Sequence, residues 1–273
     1  MICNFKPLPR SGLGRIWRKF GRRYVVSVVL ERTYGWIPDI PDQRDYLYSA
    51  IKPRIKLHKK VDLRQYCSVV EDQGRLGSCT ANALAGNIEF LDNRPDFSYI
   101  DVSRLFIYYN ERAIRGNEDF DAGTSLRDGI KTLKKIGYCW EKTWPYKIEH
   151  FNQKPSKNCY VEAKKHRIES YHRIFSLSEM LTCLTEGYPF VFGFTVYKSF
   201  KSKKVALTGI VNMPKKSERV IGGHAVMAAG YYQNQRRFLV RNSWGRIWGK
   251  AGYFTMPFEY LETLAADFWT IRK

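Results

Sequence analysis

The chain has 273 residues, 44% hydrophobic and 15% aromatic, enough apolar material for one large core or two smaller ones, which excludes a disordered polymer. Lys and Arg number 46 against 26 Asp and Glu, a formal charge of +20, so attraction to anionic partners acts at long range. No stretch approaches the roughly 18 consecutive apolar residues that a membrane-spanning helix needs.

The positive charge is uneven along the chain. Residues 1–60 hold 14 Lys and Arg and 4 acidic residues, and the first 23 residues carry seven basic side chains and no acidic one. Such a block reads first as a solvated arm, and second as a tether to nucleic acid or an anionic membrane surface. No helix-turn-helix, zinc-finger or RNA-recognition signature sharpens the second reading. The apolar run Tyr24–Leu30 is only seven residues long and ends on Glu31 rather than on a small-residue cleavage site, so it reads as a short strand, not an export signal. An intracellular, cytoplasmic setting is therefore expected. Residues 36–57 contain three prolines and two Pro-Asp steps, which favour an extended segment lying on a surface.

From Val61 the character changes. In TANALAGNIEFLDN, residues Ala81, Leu84, Ala85, Ile88 and Leu91 recur at helical spacing, and the Gly-rich approach places Cys79 at the start of that helix. Two more helical patterns follow, SRLFIYYNERAI and SLRDGIKTLKKIG, the second ended by Gly137 as a C-terminal cap. After about residue 165 the runs HRIESYHRI, PFVFGFTVY, GHAVMAAGYY, RFLVRNSW and GYFTMP read as strands. A helical first half and a strand-rich second half predict an α+β protein of two lobes.

The six cysteines are Cys3, Cys67, Cys79, Cys139, Cys159 and Cys183. They form no CxxC pair and accompany no His-x-x-x-His spacing, so a zinc site has little support, and most read as reduced apolar fillers. Acyl transfer through a thiol needs an ionisable sulfur, a base, a group that orients the base, and donors for the oxyanion. Cys79 at a helix start, His224 in GGHAV, Asn242 in RNSWG and Gln73, six residues before Cys79, are residue types competent for those four tasks. Singly each has a bland reading: a core thiol, a satisfied core histidine, a turn asparagine.

In combination they resemble the papain-like cysteine peptidases. QGRLGSC at Gln73–Cys79 resembles that family's Gln-Gly-x-x-Gly-Ser-Cys element, GHAV at Gly223–Val226 its histidine strand, and NSWGRIWGKAGYF from Asn242 to Phe254 its Asn-Ser-Trp-Gly block, all in family order. The resemblance covers about residues 58–273, with TWPY at Thr143–Tyr146 as a weaker element, and leaves residues 1–57 as a basic N-terminal extension. It implies the two-lobed papain-like fold with a cleft between the lobes, and hydrolysis of polypeptide substrates with no metal or organic cofactor. By the same resemblance Cys79 is the nucleophile, His224 the acid–base, Asn242 its orienting amide and Gln73 an oxyanion donor. Trp244 shields the Asn–His bond, and Gly123 lies on the edge that pairs with a substrate backbone.

Thr80 stands where the family usually has an aromatic residue, and Leu76 where secreted members have a disulfide cysteine. The segment GWIPDIPDQRDYLYS resembles the start of a subgroup of bacterial and viral members, which implies that residues 36–57 wrap the body near the cleft and adds a virion to the possible settings. The alternatives are a silent papain-like binding protein and a thiol enzyme that passes the acyl group to an amine, as a transpeptidase or deconjugating enzyme.

Overall fold

The structure, a computed structural model, describes residues 32–93 and 100–273. Most of the basic arm, and the strand expected at residues 24–31, lie outside them. Helix α1 (Cys79–Asn93) opens the helical lobe, followed by α2 (Arg104–Ala113), α3 (Leu126–Lys135) and α4 (Lys157–Ala163). Ser103 and Ser125 cap α2 and α3, each accepting from the backbone N–H three residues on. Helix α3 buries Leu126, Ile130 and Leu133 on one stripe and ends on Lys134 and Lys135, which suit the negative end of its dipole. Gly137 follows at φ +96°, donating its N–H to Thr132 O at 3.0 Å, so the predicted stop is where the chain turns.

The second lobe is built on an antiparallel sheet of seven strands, β1 (Lys60–Asp62), β2 (Ser170–Ile174), β3 (Phe190–Tyr197), β4 (Val220–Tyr232), β5 (Arg237–Arg241), β6 (Tyr253–Pro257) and β7 (Ala265–Arg272). Their order is β2-β7-β3-β4-β5-β6, with β1 pairing β4 beside that path. Period-two alternation divides the core between the two faces. Phe190, Phe192, Phe194, Val226 and Ala228 join one cluster with Phe238, Phe254 and Phe258. Val191, Ala225, Met227, Ala229 and Leu239 face the other way and pack under α1, α2 and α3. Small residues at 225 and 229 let α1 lie close against β4, and this contact joins the lobes. The expected α+β architecture of a helical lobe and a sheet lobe is therefore observed.

The second half is less purely stranded than its texture implied. Helices α5 (Leu177–Thr185), α6 (Lys203–Thr208) and α7 (Phe258–Leu264) interrupt it, and β7 lies in a run not read as a strand. Residues 32–48 make contacts along both lobes, while most of residues 49–57 are exposed. Asp39 accepts from Trp269 Nε1 at 2.8 Å and from the Arg127 N–H at 3.1 Å, and Tyr48 is fully buried with its hydroxyl donating to Glu186 at 2.8 Å. Packing begins earlier than the boundary expected at residue 36: Arg32 is already buried, paired with Asp72, and Thr33 donates to Arg75 O.

Trp269 is fully buried and carries the bond to Asp39. Trp269→Ala should cost about 3–5 kcal/mol and lower the thermal midpoint by roughly 10 °C. Val161→Ala, at an exposed position, should leave it within about 2 °C.

Candidate active site

Cys79 begins α1, and the turn before it is held by Asn82, whose Nδ2 donates to Ser78 O at 2.9 Å and to Ser78 Oγ at 3.1 Å. Facing this turn is the start of β4. The backbone of Ala225 of that strand, with Gly35 and Thr80, bears on the Cys79 thiol and partly offsets the effect of its burial. His224, one residue before Ala225, is fully buried and pairs through Nε2 with Asn242 Oδ1 at 2.8 Å. Asn242 lies just past the end of β5.

The tautomer of His224 follows from Asn242. Its Oδ1 also accepts the Ser243 N–H at 2.9 Å, so this atom is the carbonyl oxygen and His224 Nε2 carries the proton. In the neutral ring Nδ1 is then a bare acceptor, and it is buried without a hydrogen-bond partner. The Trp244 ring lies 5.2 Å from the imidazole, 1% exposed, and closes off the Asn–His bond. Gln73 is locked to the same block: its N–H donates to Ser243 O at 2.9 Å and its Oε1 accepts from Ser243 Oγ at 2.6 Å. The structure thus brings Cys79, His224, Asn242, Gln73 and Trp244 into one locality between the lobes.

The chain's own segment Arg32–Asp39 fills that locality. Thr124 donates its N–H to Gly35 O at 2.8 Å and accepts from the Ile37 N–H at 2.9 Å, a parallel bridge to the helical lobe. The Trp36 N–H donates to Gly223 O at 3.2 Å on the β lobe, so the segment is stitched to both walls. Gln73 Nε2 donates to Leu76 O at 2.9 Å and to Thr33 O at 3.3 Å. The Tyr34 ring stands edge-on to His224 at 6.1 Å. Gly35 passes so close that a β-carbon there would lie 1.7 Å from Gly77 O.

At Gly123 the structure refines the expected role. The backbone bonds belong to Thr124; Gly123 (φ +66°) contributes an absence, since a β-carbon would stand 2.1 Å from Gly35 O. Sequence reasoning passed over Trp36, Thr124, Gly193 and Asp267. The Trp36 indole lies on Gly193 and Gly223 and donates to Asp267 Oδ2 at 3.2 Å. Only the pairing of one aromatic residue with glycines distant in the chain could have signalled this, and no spacing rule links them.

Burial under the segment sets the charges. It pushes the Cys79 thiol up to about 11 and the His224 imidazole down to about 4, the latter partly offset by the bond to Asn242. Covered, the thiol and the imidazole are both neutral, not the ion pair that a catalytic thiol needs. Among the described residues no group of His, Cys, Asp and Glu is arranged to hold a metal ion, and no helix is long and apolar enough to cross a membrane.

Because the folded imidazole titrates near 4 and an unfolded one near 6.5, the unfolded chain takes up a proton in that interval and the folded chain does not. Stability should fall as pH drops from about 6.5 toward 4. Thermal midpoints of the native chain and of His224→Gln, measured across that range, should converge as pH falls, and parallel curves would contradict the assignment.

Papain family cysteine protease is the family that matches, over residues 57–262. A peptidase C1-like protein of Acanthamoeba polyphaga mimivirus is 43% identical, covering 89% of this chain and 88% of its own length. Cysteine proteinase 3 of Entamoeba histolytica is 26% identical over 81% of this chain and 69% of its own. Among solved structures, xylellain, a cysteine protease from Xylella fastidiosa, is 43% identical with a TM-score of 0.80, covering 89% of this chain and 97% of that one. A digestive procathepsin L 3 of Tenebrio molitor, at 16% identity and TM-score 0.66 over 93% of this chain and 79% of that one, shares the fold. By the family match and by two relatives at 43% identity, the chain belongs to the papain family of cysteine proteases and is a cysteine-type peptidase.

Proposed function

We propose that the protein hydrolyses peptide bonds through Cys79, His224, Asn242 and Gln73, and that residues 32–39 hold it latent until they leave the cleft. The observation that carries the catalytic reading is the fixed tautomer of His224. Asn242 Oδ1 holds the Nε2 proton, so the free nitrogen of the buried imidazole is an acceptor, on the residue before Ala225, whose backbone bears on the Cys79 thiol.

In the opened cleft, water replaces the segment around Cys79 and His224, and the desolvation that kept both neutral is relieved. The thiol proton passes to His224 Nδ1, and the imidazolium and the α1 N-terminus stabilise the thiolate. The sulfur attacks a peptide carbonyl, forming the S–C bond. The oxyanion takes donors from the Cys79 N–H and from Gln73 Nε2, whose second proton the Thr33 carbonyl occupies in the closed chain. His224 returns the proton to the leaving amine as the C–N bond breaks. A water molecule then gives its proton to His224, attacks the thioester, and frees the acid product and the thiol. Asn242 keeps the ring in register throughout, and Trp244 keeps water from its bond.

The latency reading rests on Gly35. The Gly35 backbone bears on the Cys79 thiol, and only glycine fits against Gly77 there. The full-length chain should cleave a fluorogenic casein slowly, and Cys79→Ala should abolish that cleavage. Gly35→Val cannot seat and should raise the rate by about tenfold or more as the open population grows. A Gly35→Val chain that folds and cleaves no faster than the native chain would refute latency, while residual cleavage in Cys79→Ala would refute the nucleophile.

A further inference from the structure

The seat of Trp36 carries information about what the opened cleft accepts. Strand β7 is bulged: Val191 pairs with Trp269 and Gly193 with Ala266, so two steps on β3 match three on β7. The extra residue region includes Asp267 at φ +58°, a left-handed conformation that aims its side chain off the strand. Asp267 is buried, and its two oxygens have different partners. Oδ1 accepts from Arg173 Nη2 at 2.8 Å, a bond within the body of the protein. Oδ2 accepts from the Asp39 N–H at 2.7 Å and from Trp36 Nε1 at 3.2 Å, both on the covering segment.

The walls complete the cavity. A β-carbon at Gly193 would lie 1.9 Å from Trp36 Cε2, and one at Gly223 would lie 2.7 Å from Cε3, so both glycines are flat floor for an aromatic ring. When residues 32–39 depart, Asp267 Oδ2 loses both donors at once while Oδ1 keeps Arg173. A buried acceptor left unsatisfied is costly, and a ligand that supplies the donor is selected over one that does not. Arg173 meanwhile loses Asp39 but keeps Asp45 and Asp267 Oδ1, and Arg127 keeps Asp45, since Asp45 and Asp267 lie outside the departing residues. Arg173, held at 2.8 Å from Oδ1, already balances the Asp267 carboxylate, which leaves a neutral donor as a better fit than a cationic side chain.

We infer that the pocket filled by Trp36 is a side-chain recognition pocket of the peptidase, and that Asp267, with Gly193 and Gly223, makes it select a substrate residue with a flat aromatic ring bearing an N–H donor, tryptophan. The inference rests on the peptidase reading and names the substrate preference of that site. Trp36 is the chain's own occupant of the pocket.

The test uses the full-length chain carrying Trp36→Ala, which leaves an indole-shaped space. Indole and benzothiophene, the same bicycle without the N–H, are titrated by calorimetry. Indole should bind about tenfold more tightly, the discrimination expected of one hydrogen bond to a buried charged acceptor. Adding Gly193→Val, which has room only once the ring is gone, should abolish binding of both. In parallel, this chain is given fluorogenic peptides that differ only in Trp, Phe, Leu or Arg, placed in turn at each of the three residues before the scissile bond, and a tryptophan peptide should be cleaved with the highest kcat/KM. Equal binding of the two bicycles, or cleavage of a Phe, Leu or Arg peptide as fast as the Trp peptide at all three positions, overturns the inference and leaves the peptidase reading standing. Cleavage of none, with no adduct on Cys79 from an epoxysuccinyl inhibitor, overturns the peptidase reading and the substrate assignment with it.

Discussion

The hydrogen bonds that Gly35, Trp36 and Ile37 make to Thr124 on one wall and Gly223 on the other govern the state of everything beneath them. They join the helical lobe to the sheet across the place where the lobes otherwise part. They also exclude water from Cys79 and His224, and that exclusion, rather than any charged neighbour, is the largest cause of the neutral state of both groups. Geometry and protonation are thus separable. The imidazole is already oriented by Asn242 and the glutamine already locked by Ser243, while the charge separation that chemistry needs waits on solvent.

The segment is anchored well away from the thiol. Asp39 and Asp45 pair with Arg127 and Arg173, and Asp39 also takes the Trp269 indole, so the anchor is a buried network that bridges α3, β2 and β7. Such networks fix geometry more dependably than they add stability, since desolvation offsets much of the attraction. The consequence here is register. With Asp39 held, Trp36 falls on its two glycines and Gly35 falls on Gly77, where one added methyl group could not be accommodated.

Much of this was legible in the amino-acid order, and the reasons differ by element. Helices α1 to α3 were readable because their apolar residues recur at helical spacing and because Gly137 marks the end of the third. Strands β3 and β4 were readable because both faces are buried, which leaves long apolar runs. Strand β7 was not, because Asp267 interrupts it at the bulge and breaks the alternation. The neighbourhood of Cys79, His224, Asn242 and Gln73 was legible through three local blocks. The partnership of Trp36 with Gly193, Gly223 and Asp267 was not, since it joins positions up to 231 residues apart and only the folded chain brings them together. Reading residues 1–35 as a single solvated arm likewise missed Arg32 and Thr33, whose partners Asp72 and Arg75 lie about forty residues further on.

The most direct test of the account is the concentration dependence of epoxysuccinyl modification of Cys79 in the full-length chain, followed by intact mass with peptide mapping. If residues 32–39 guard the thiol, one adduct should form on Cys79 at a rate that saturates with inhibitor at the rate of segment opening, and Trp36→Ala should raise that plateau. A rate linear in inhibitor throughout, and the same in Trp36→Ala, would contradict the claim that this segment controls the site.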